Sequence, residues 1–440
     1  MNDSTARNFT LDDAVTDVEK RYVAANPKSD AHYQSATRNM PGANTRSTLH
    51  HDPFPVVLVK GEGARLIDLD GNSYLDFLGE YTAGLYGHSE PSIKSAIQKA
   101  LSEGFVLGGP NPYEAHLAEL MVERFPAVEL IRFCNSGTEA NMMNISLARA
   151  VTGRPAVMAF NGSYHGGLFS FAGGSPSPMN APIETVIGEF NNTDACRDLI
   201  RSHADSLAAL IIEPVMGGGG CIPAEDDFLK MLRHETEQHG IILIFDEVMT
   251  SRLSPGGLHA LVGIYPDLIS FGKYLGGGVT FGAFGGRADL MARLDPRQPD
   301  ALVHSGTYNN NVLTMAAGIA GLSKVFTPDA VDRLNQTGDT FREQLQGIAN
   351  KHNAPFRVMG RGSMVCIHPQ RQPIRKPADT SASSAKARKL LHLEMHLRGC
   401  YLARRGFMSL SLPLTESDLM SFADSFETVV TEHAAVFSAS

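Results

Sequence analysis

Cysteine is scarce: Cys134, Cys196, Cys221, Cys366 and Cys400 are the five in a chain of 440 residues, and they lie far apart. An odd set without paired spacing excludes a disulfide scaffold and a cysteine-built metal site, so reduced, structural thiols and no metal are expected. Long apolar runs are missing as well. None reaches the roughly 18 residues that cross a bilayer, and the opening Met1 to Asp13 is polar, without a signal-peptide core, so a cytoplasmic location is expected. Basic charge is not in surplus: the formal net charge is −9 and Lys and Arg are scattered, which argues against nucleic acid or an anionic membrane as partner. Lysine is nearly missing from the middle of the chain, with only Lys230 and Lys273 between residues 100 and 323.

What is present is an ordinary globular mixture, 43% hydrophobic and 19% charged, in a chain long enough to bury roughly three quarters of its unfolded surface. After an irregular, polar N-terminal stretch, Val56 to Val59, Ala64 to Leu69 and Ser73 to Phe77 read as an antiparallel meander, with Asp70-Gly71 as a hairpin signal. Helical periodicity follows in Ile93, Ile97 and Leu101 and from Tyr113 to Phe125. Apolar strands at Leu130 to Phe133, Ala156 to Phe160, Leu207 to Glu213, Ile241 to Asp246 and Leu268 to Phe271 then alternate with helices from Glu139 and over Phe228 to Glu237. That alternation predicts an α/β fold with a mostly parallel sheet covered on both faces. Beyond about Lys324, helices such as Ala385 to His396 and Glu416 to Ala435 dominate a smaller α+β unit, and Pro369 to Lys386 reads as a surface loop.

Three features carry chemistry. Asn135-Ser136-Gly137-Thr138-Glu139 stands where a strand gives way to a helix, and free N–H groups at a helix start make a phosphate cradle. The same Ser-x-x-Glu also reads as a capping box. Asp246-Glu247 ends the apolar strand from Ile241, at the edge where ligands of parallel sheets collect, although a strand-end charge is also common in a salt bridge. Lys273 sits between an apolar strand and Gly276-Gly277-Gly278, where backbone can pass close to a ligand. A P-loop would need glycine at 267 and Ser or Thr at 274, and Asp267 and Tyr274 stand there. An anion cradle, a carboxylate and a buried lysine at strand ends of one sheet match the needs of pyridoxal phosphate. They would hold its phosphate, its ring nitrogen and its aldehyde respectively.

Ser136-Gly137-Thr138-Glu139-Ala140, Tyr164-His165-Gly166, Glu213-Pro214, Asp246-Glu247-Val248 and Lys273 occur in an order and spacing that resembles the class III, fold-type I aminotransferases, from about Ala31 to Ala435. The resemblance implies that Ser136, Gly137 and Thr138 hold the phosphate, Tyr164 and Val248 flank the ring, and Asp246 pairs with its nitrogen. It also implies that His165 and Glu213 lie near the ring and that Lys273 carries the aldehyde and acts as catalytic base. Gly306-Thr307 would reach the phosphate of a neighbouring subunit, which implies a homodimer with shared sites. It further implies a large cofactor-binding domain over 79–325, with 1–78 and 326–440 forming the small one from both chain ends.

Met40 to Arg46, Glu80 to His88 and Arg405-Gly406-Phe407 resemble the β-amino-acid aminotransferases, those acting on β-phenylalanine among them. By that resemblance Arg46 binds the carboxylate of a β-amino acid, Arg405 that of the 2-oxoacid, and Tyr81 lines the pocket. A ping-pong amino transfer follows. Glutamate-1-semialdehyde aminomutases share the cofactor motifs, but their Pro-Gly-Gly-Val-Asn-Ser-Pro-Val-Arg segment is shortened here to Pro-Gly-Ala-Asn-Thr-Arg. A racemase, or a non-catalytic phosphate-binding module, would share parts of the pattern too.

Overall fold

The computed structural model describes residues 10–438, so the first nine residues of the polar Met1 to Asp13 stretch lie outside the described residues. The N-terminal region expected to be irregular is helical, over Leu11–Ala25 and Pro27–Ala36. Thr10 and Asp13 form a reciprocal capping box that starts the first helix. Its buried face is only Ala14, Val18 and Tyr22, packed toward helix Ala385–Leu397. A stripe that thin, on a helix otherwise charged, does not stand out until its distant partner is known.

Strands β1 (Leu58–Glu62), β2 (Arg65–Asp68) and β3 (Ser73–Asp76) form the expected antiparallel meander. Asp68 Oδ1 accepts from the N–H groups of Asp70 and Asn72 at 3.0 and 2.8 Å, and Gly71 supplies the left-handed φ of 94° between them. Next in the chain come β4 (Leu130–Cys134), β5 (Ala156–Phe160), β6 (Glu184–Gly188) and β7 (Leu207–Ile212). A small ribbon, β8 (Val215–Met216) and β9 (Ile222–Pro223), precedes β10 (Ile242–Asp246), β11 (Leu268–Gly272) and β12 (Gly282–Gly286).

Seven of these make one sheet, in the order β4-β12-β11-β10-β7-β5-β6. Only β12 runs against the rest. β5, β7, β10 and β11 are buried along their whole lengths, which is why they read as continuous apolar runs. β12, by contrast, is Gly-Ala-Phe-Gly-Gly, a sequence that looks like a breaker. Its glycines are there because the backbone passes close: a Cβ on Gly282 would lie 2.2 Å from the Ser136 carbonyl oxygen, and one on Gly286 2.2 Å from that of Asp267.

The C-terminal part adds helix Pro328–Lys351, then β13 (Arg357–Arg361), β14 (Met364–His368), β15 (Cys400–Tyr401) and β16 (Phe407–Ser409). β13, β14 and β16 form an antiparallel sheet, while β15 pairs parallel to β3. The fold is thus a large, mostly parallel-sheet domain with a smaller α+β domain built from both chain ends. Residues 369–386 form the expected surface loop, and it is strapped to the large domain. Arg375 donates to Glu225 at 2.8 and 2.9 Å, Lys376 to Glu189 at 2.5 Å, and Gly162 leaves room for Pro377. Polar composition hid this, because its anchors are ion pairs with residues far away in sequence.

Under the N-terminal helix, His51, His392 and His396 are buried against one another, with ring centroids 4.6 Å apart for the first pair and 4.2 Å for the second. All five cysteines are buried and form no disulfide. No helix among the described residues is long and apolar enough to cross a membrane.

Candidate active site

Parallel strands deliver their C-terminal ends to one edge, and the chemistry-bearing residues stand along it. Asp246 ends β10 in register with Ser270 of β11, Lys273 follows β11 directly, and Glu213 follows β7. Lys273 takes a left-handed φ of 56° as the strand turns into Lys273–Gly276. Its ammonium has no hydrogen-bond or ion-pair partner among the described residues. The residue as a whole is half-buried. Burial lowers its pKa from the usual 10.5 to about 7, against the opposing pull of Asp246 and Glu213. A large neutral fraction at physiological pH is what a nucleophilic amine requires.

Asp246 is 5% exposed and tightly held. Its Oδ2 accepts from Asn141 Nδ2 at 2.7 Å and from His165 Nδ1 at 2.8 Å, while Oδ1 takes only the Val248 N–H at 3.1 Å. That pattern puts the His165 proton on Nδ1 and leaves Oδ1 with acceptor capacity for one more donor. Beside it, His165 Nε2 and Asn141 Oδ1 are buried without partners among the described residues. Glu213, also buried, is pushed up from the ordinary carboxylate range by desolvation, with His165 pulling the other way. Its two oxygens accept from the N–H groups of Tyr164 at 2.8 Å and Gly217 at 3.0 Å, so it fixes the backbone of the loop that carries Tyr164.

At the neighbouring strand end, Ser136 is the N-cap of helix Gly137–Thr152, its hydroxyl accepting from Glu139 N at 3.1 Å. The Glu139 carboxylate reaches back to Asn135 N, at 2.9 Å, rather than to Ser136. This is a cap without the full box. It leaves the N–H groups of Gly137 and Thr138 without partners among the described residues, aimed out of the helix start where an anion is favoured. Val248 closes the space behind: a Cβ on Gly137 would sit 2.8 Å from its Cγ2. The free N–H pair, the open acceptor on Asp246 and the unpartnered amine of Lys273 together fit the phosphate, ring nitrogen and aldehyde of pyridoxal phosphate.

The remaining expected residues form two groups. Tyr164 is 48% exposed at the mouth, and Thr307 lies in an exposed turn between Val303, 90% exposed, and Tyr308, 63% exposed. Two residues past Thr307, Asn309 accepts from Asn135 at 3.0 Å, which ties that turn to the cradle loop of the same chain. Arg46, Tyr81 and Arg405 meet although they come from opposite ends of the chain. The Tyr81 ring lies near the guanidinium carbons of both Arg46, 5.6 Å away, and Arg405, 5.1 Å away, and stacks on Phe407 at 5.9 Å. Arg46 forms an ion pair with Glu80. Arg405 has no ion pair among the described residues, and its Nε is buried without a partner.

Sequence reasoning missed Asn141, Phe407, Glu80 and Arg252. Asn141 and Asn144, three residues apart in a mostly apolar helix and both buried, are a signal that could have been read. Arg252 is fully buried, with no carboxylate partner among the described residues. It donates to Ser363 Oγ at 3.0 Å, to the carbonyl of Thr82 at 3.4 Å and to that of Leu410, pinning the turn that carries Tyr81 to the small domain. Nothing local marks it, since its partners lie 111 to 170 residues away.

Comparison with known proteins agrees with this geometry. Residues 47–409 match the family model for aminotransferase class III. A beta-phenylalanine transaminase from Variovorax paradoxus is 44% identical over 97% of this chain and 98% of its own length. The crystal structure of a beta-phenylalanine aminotransferase from the same organism superposes with a TM-score of 0.95 at 44% identity, covering 97% of this chain and 99% of that one. A glutamate-1-semialdehyde 2,1-aminomutase from Thermodesulfovibrio yellowstonii is less similar, 34% identical over 89% of this chain and 96% of its own. With the family model spanning most of the chain and the fold shared along nearly its whole length, the chain belongs to the class III aminotransferases and is a transaminase that uses pyridoxal 5'-phosphate.

Proposed function

We propose that this transaminase moves the amino group of a β-amino acid to a 2-oxoacid in two alternating half-reactions. The observation that carries the reading is the pair of guanidinium groups that both lie against the Tyr81 ring, at 5.6 and 5.1 Å from its centre. Two carboxylic substrates visit one site in turn, and each needs a receptor; a guanidinium fork binds a carboxylate in a fixed orientation. Arg46 takes the donor's carboxylate and Arg405 that of the 2-oxoacid. The likeness to the beta-phenylalanine transaminase supports a β-amino acid as donor, with the aromatic walls Tyr81 and Phe407 lining its side-chain pocket.

Ser136, Gly137 and Thr138 hold the cofactor's phosphate, Asp246 its ring nitrogen, Tyr164 and Val248 its faces, and Lys273 its aldehyde. Bound there, pyridoxal phosphate supplies the electron sink for the C–H bond that breaks beside the amine. Lys273 Nζ, held near neutrality by burial, takes the proton from the substrate carbon that bears nitrogen and would deliver it to the cofactor's aldehyde carbon. Asp246 keeps its charge aimed by two donors, and Asn141 and His165 prevent its rotation. Glu213 orients Tyr164 through the backbone.

Residues 79–325 make up the cofactor-binding domain, and 1–78 with 326–440 the small domain. The enzyme works as a homodimer in the cytoplasm, Thr307 of one subunit completing the partner's phosphate site. The exposed Val303 and Tyr308 beside Thr307 and the absence of disulfides support this.

The test is a spectral titration of the yellow holoenzyme with 3-amino-3-phenylpropanoate, without any 2-oxoacid. Stoichiometric bleaching to the amino form of the cofactor, reversed by 2-oxoglutarate or pyruvate, is the expected result. A yellow enzyme that the β-amino acid leaves unchanged would overturn the substrate assignment, and isomerisation that needs no 2-oxoacid would assign an aminomutase.

A further inference from the structure

The two arginines beside Tyr81 are not equivalent. Arg46 already holds the carboxylate of Glu80, whereas no carboxylate lies within ion-pair distance of Arg405 among the described residues. Glu80 also has an unusual backbone. It takes φ 48°, followed by Tyr81 at 53° and Thr82 at 81°, three successive non-glycine residues in the left-handed region. The inner side of the molecule imposes that conformation. Asp76 Oδ1 accepts from Gly79 N at 2.9 Å, Ser409 Oγ from Thr82 N at 3.2 Å, and Arg252 grips the Thr82 carbonyl. A Cβ on Gly79 would come within 2.7 Å of Ser409 Oγ. So firm a clamp is not needed for a surface ion pair. Its result is to stand Glu80 against Arg46 while the Tyr81 ring lies against both guanidiniums.

We infer that Glu80 is a specificity-determining residue, a resident carboxylate that neutralises Arg46 whenever the donor is absent and that the donor's carboxylate displaces. The inference rests on the proposed role of Arg46 and adds a competitor to it. In an alternating mechanism the two substrates never occupy the site together, so one arginine is always without its substrate. While the 2-oxoacid sits on Arg405, Glu80 answers Arg46 and keeps a second 2-oxoacid from binding there. While the donor sits on Arg46, the rings of Tyr81 and Phe407 stay against Arg405, at 5.1 and 5.3 Å. Exchange is easy because both partners of the resident pair are open to water, 40% exposed for Arg46 and 55% for Glu80, so the pair is weak. An amine without a carboxylate leaves the pair closed and gains nothing from Arg46.

The experiment measures binding of 3-phenylpropanoate, which has the carboxylate but no amine and cannot react, to the holoenzyme by calorimetry at low ionic strength. Glu80→Gln should tighten it by about 1.5- to 5-fold, the range for removing an exposed ion-pair competitor. The neutral 3-phenylpropanamide should bind the parent and the variant equally. In turnover, the KM for the β-amino acid should fall by the same factor, and inhibition by excess 2-oxoglutarate should set in at a correspondingly lower concentration. Arg46→Gln is the companion variant and should weaken 3-phenylpropanoate. If Arg46→Gln weakens it while Glu80→Gln leaves it unchanged or weaker, Glu80 is no competitor and the inference is overturned while the role of Arg46 stands. If Arg46→Gln has no effect, the role of Arg46 fails and the inference with it.

Discussion

An alanine at Gly137 would put a methyl 2.8 and 2.9 Å from the two γ-carbons of Val248, where carbon atoms normally rest about 3.5 to 4.0 Å apart. Val248 has little room to retreat. Its backbone is fixed, the N–H bound to Asp246 at 3.1 Å, so relief must come from its side chain alone. Overpacking of this kind costs about 1 to 3 kcal/mol. Val248→Ala by itself removes two half-buried methyl groups, a loss of about 1 kcal/mol. In the double variant the new methyl faces only the β-carbon of residue 248, at 3.5 Å, an ordinary contact. The double variant should therefore be about as stable as Val248→Ala alone, a coupling of about 1 to 3 kcal/mol in favour of the pair. Denaturant midpoints of the four proteins, at one protein concentration and in excess cofactor, give this number. Strictly additive losses would mean that Gly137 and Val248 do not touch as described, and the reason given for glycine in the cradle would fall with them.

Asp246→Asn keeps the shape but not the charge, and a hydrogen bond to a charged group contributes about 1.5 to 3 kcal/mol. Turnover should fall by far more than cofactor retention, measured as kcat/KM against the rate of cofactor loss on dialysis; parent-like rates would refute the role given to Asp246. The histidine cluster makes a prediction about acid. Burial holds His51 at about 3, His396 at about 4 and His392 well below its ordinary value. These are basic groups with depressed folded pKa values, so the unfolded chain binds more protons between about pH 6.5 and those values. Stability is unaffected above about pH 6.5 and falls below it by about 1.4 kcal/mol per histidine per pH unit, until the folded pKa is reached. Arg404, which also disfavours charge on His51 and His392, acts in the same direction. Urea midpoints between pH 6.5 and 4.5 should show this slope, and His392→Leu should reduce it by one histidine's share; an unchanged slope would count against the cluster as its cause.

What could be read from the sequence follows from how each feature is held. Continuous apolar strands such as Leu207–Ile212 and Leu268–Gly272 declare themselves because both faces are buried. Lys273 stood out because lysine is nearly absent around it, and Asp246 because a charge ends an apolar run. These signals are local. β12 was invisible because three of its five residues are glycine, chosen for the backbone of Ser136 and Asp267 passing beside it and not for strand propensity. The N-terminal helix and the anchoring of the 369–386 loop could not be read because what orders them, helix Ala385–Leu397 in one case and Glu189 and Glu225 in the other, is remote.

The turn Gly79–Thr82 is the extreme case. Glu80, Tyr81 and Thr82 have no individual preference for the left-handed region, and three in succession would be read from the sequence as strand or helix. The turn exists because Ser363 and the adjacent pair Ser409 and Leu410 bring Arg252 and a hydroxyl to its inner side, and the turn, Arg252, Ser363 and that pair come from four separate parts of the chain. Strain of about 1 to 3 kcal/mol per residue persists only where the surroundings over-determine it. Here the surroundings are the buried contact between the large and small domains. The placement of Tyr81 beside two arginines is therefore a property of how the two ends of the chain meet, and substitutions at Arg252 or Ser409 should disturb the pocket although neither side chain lies beside Arg46.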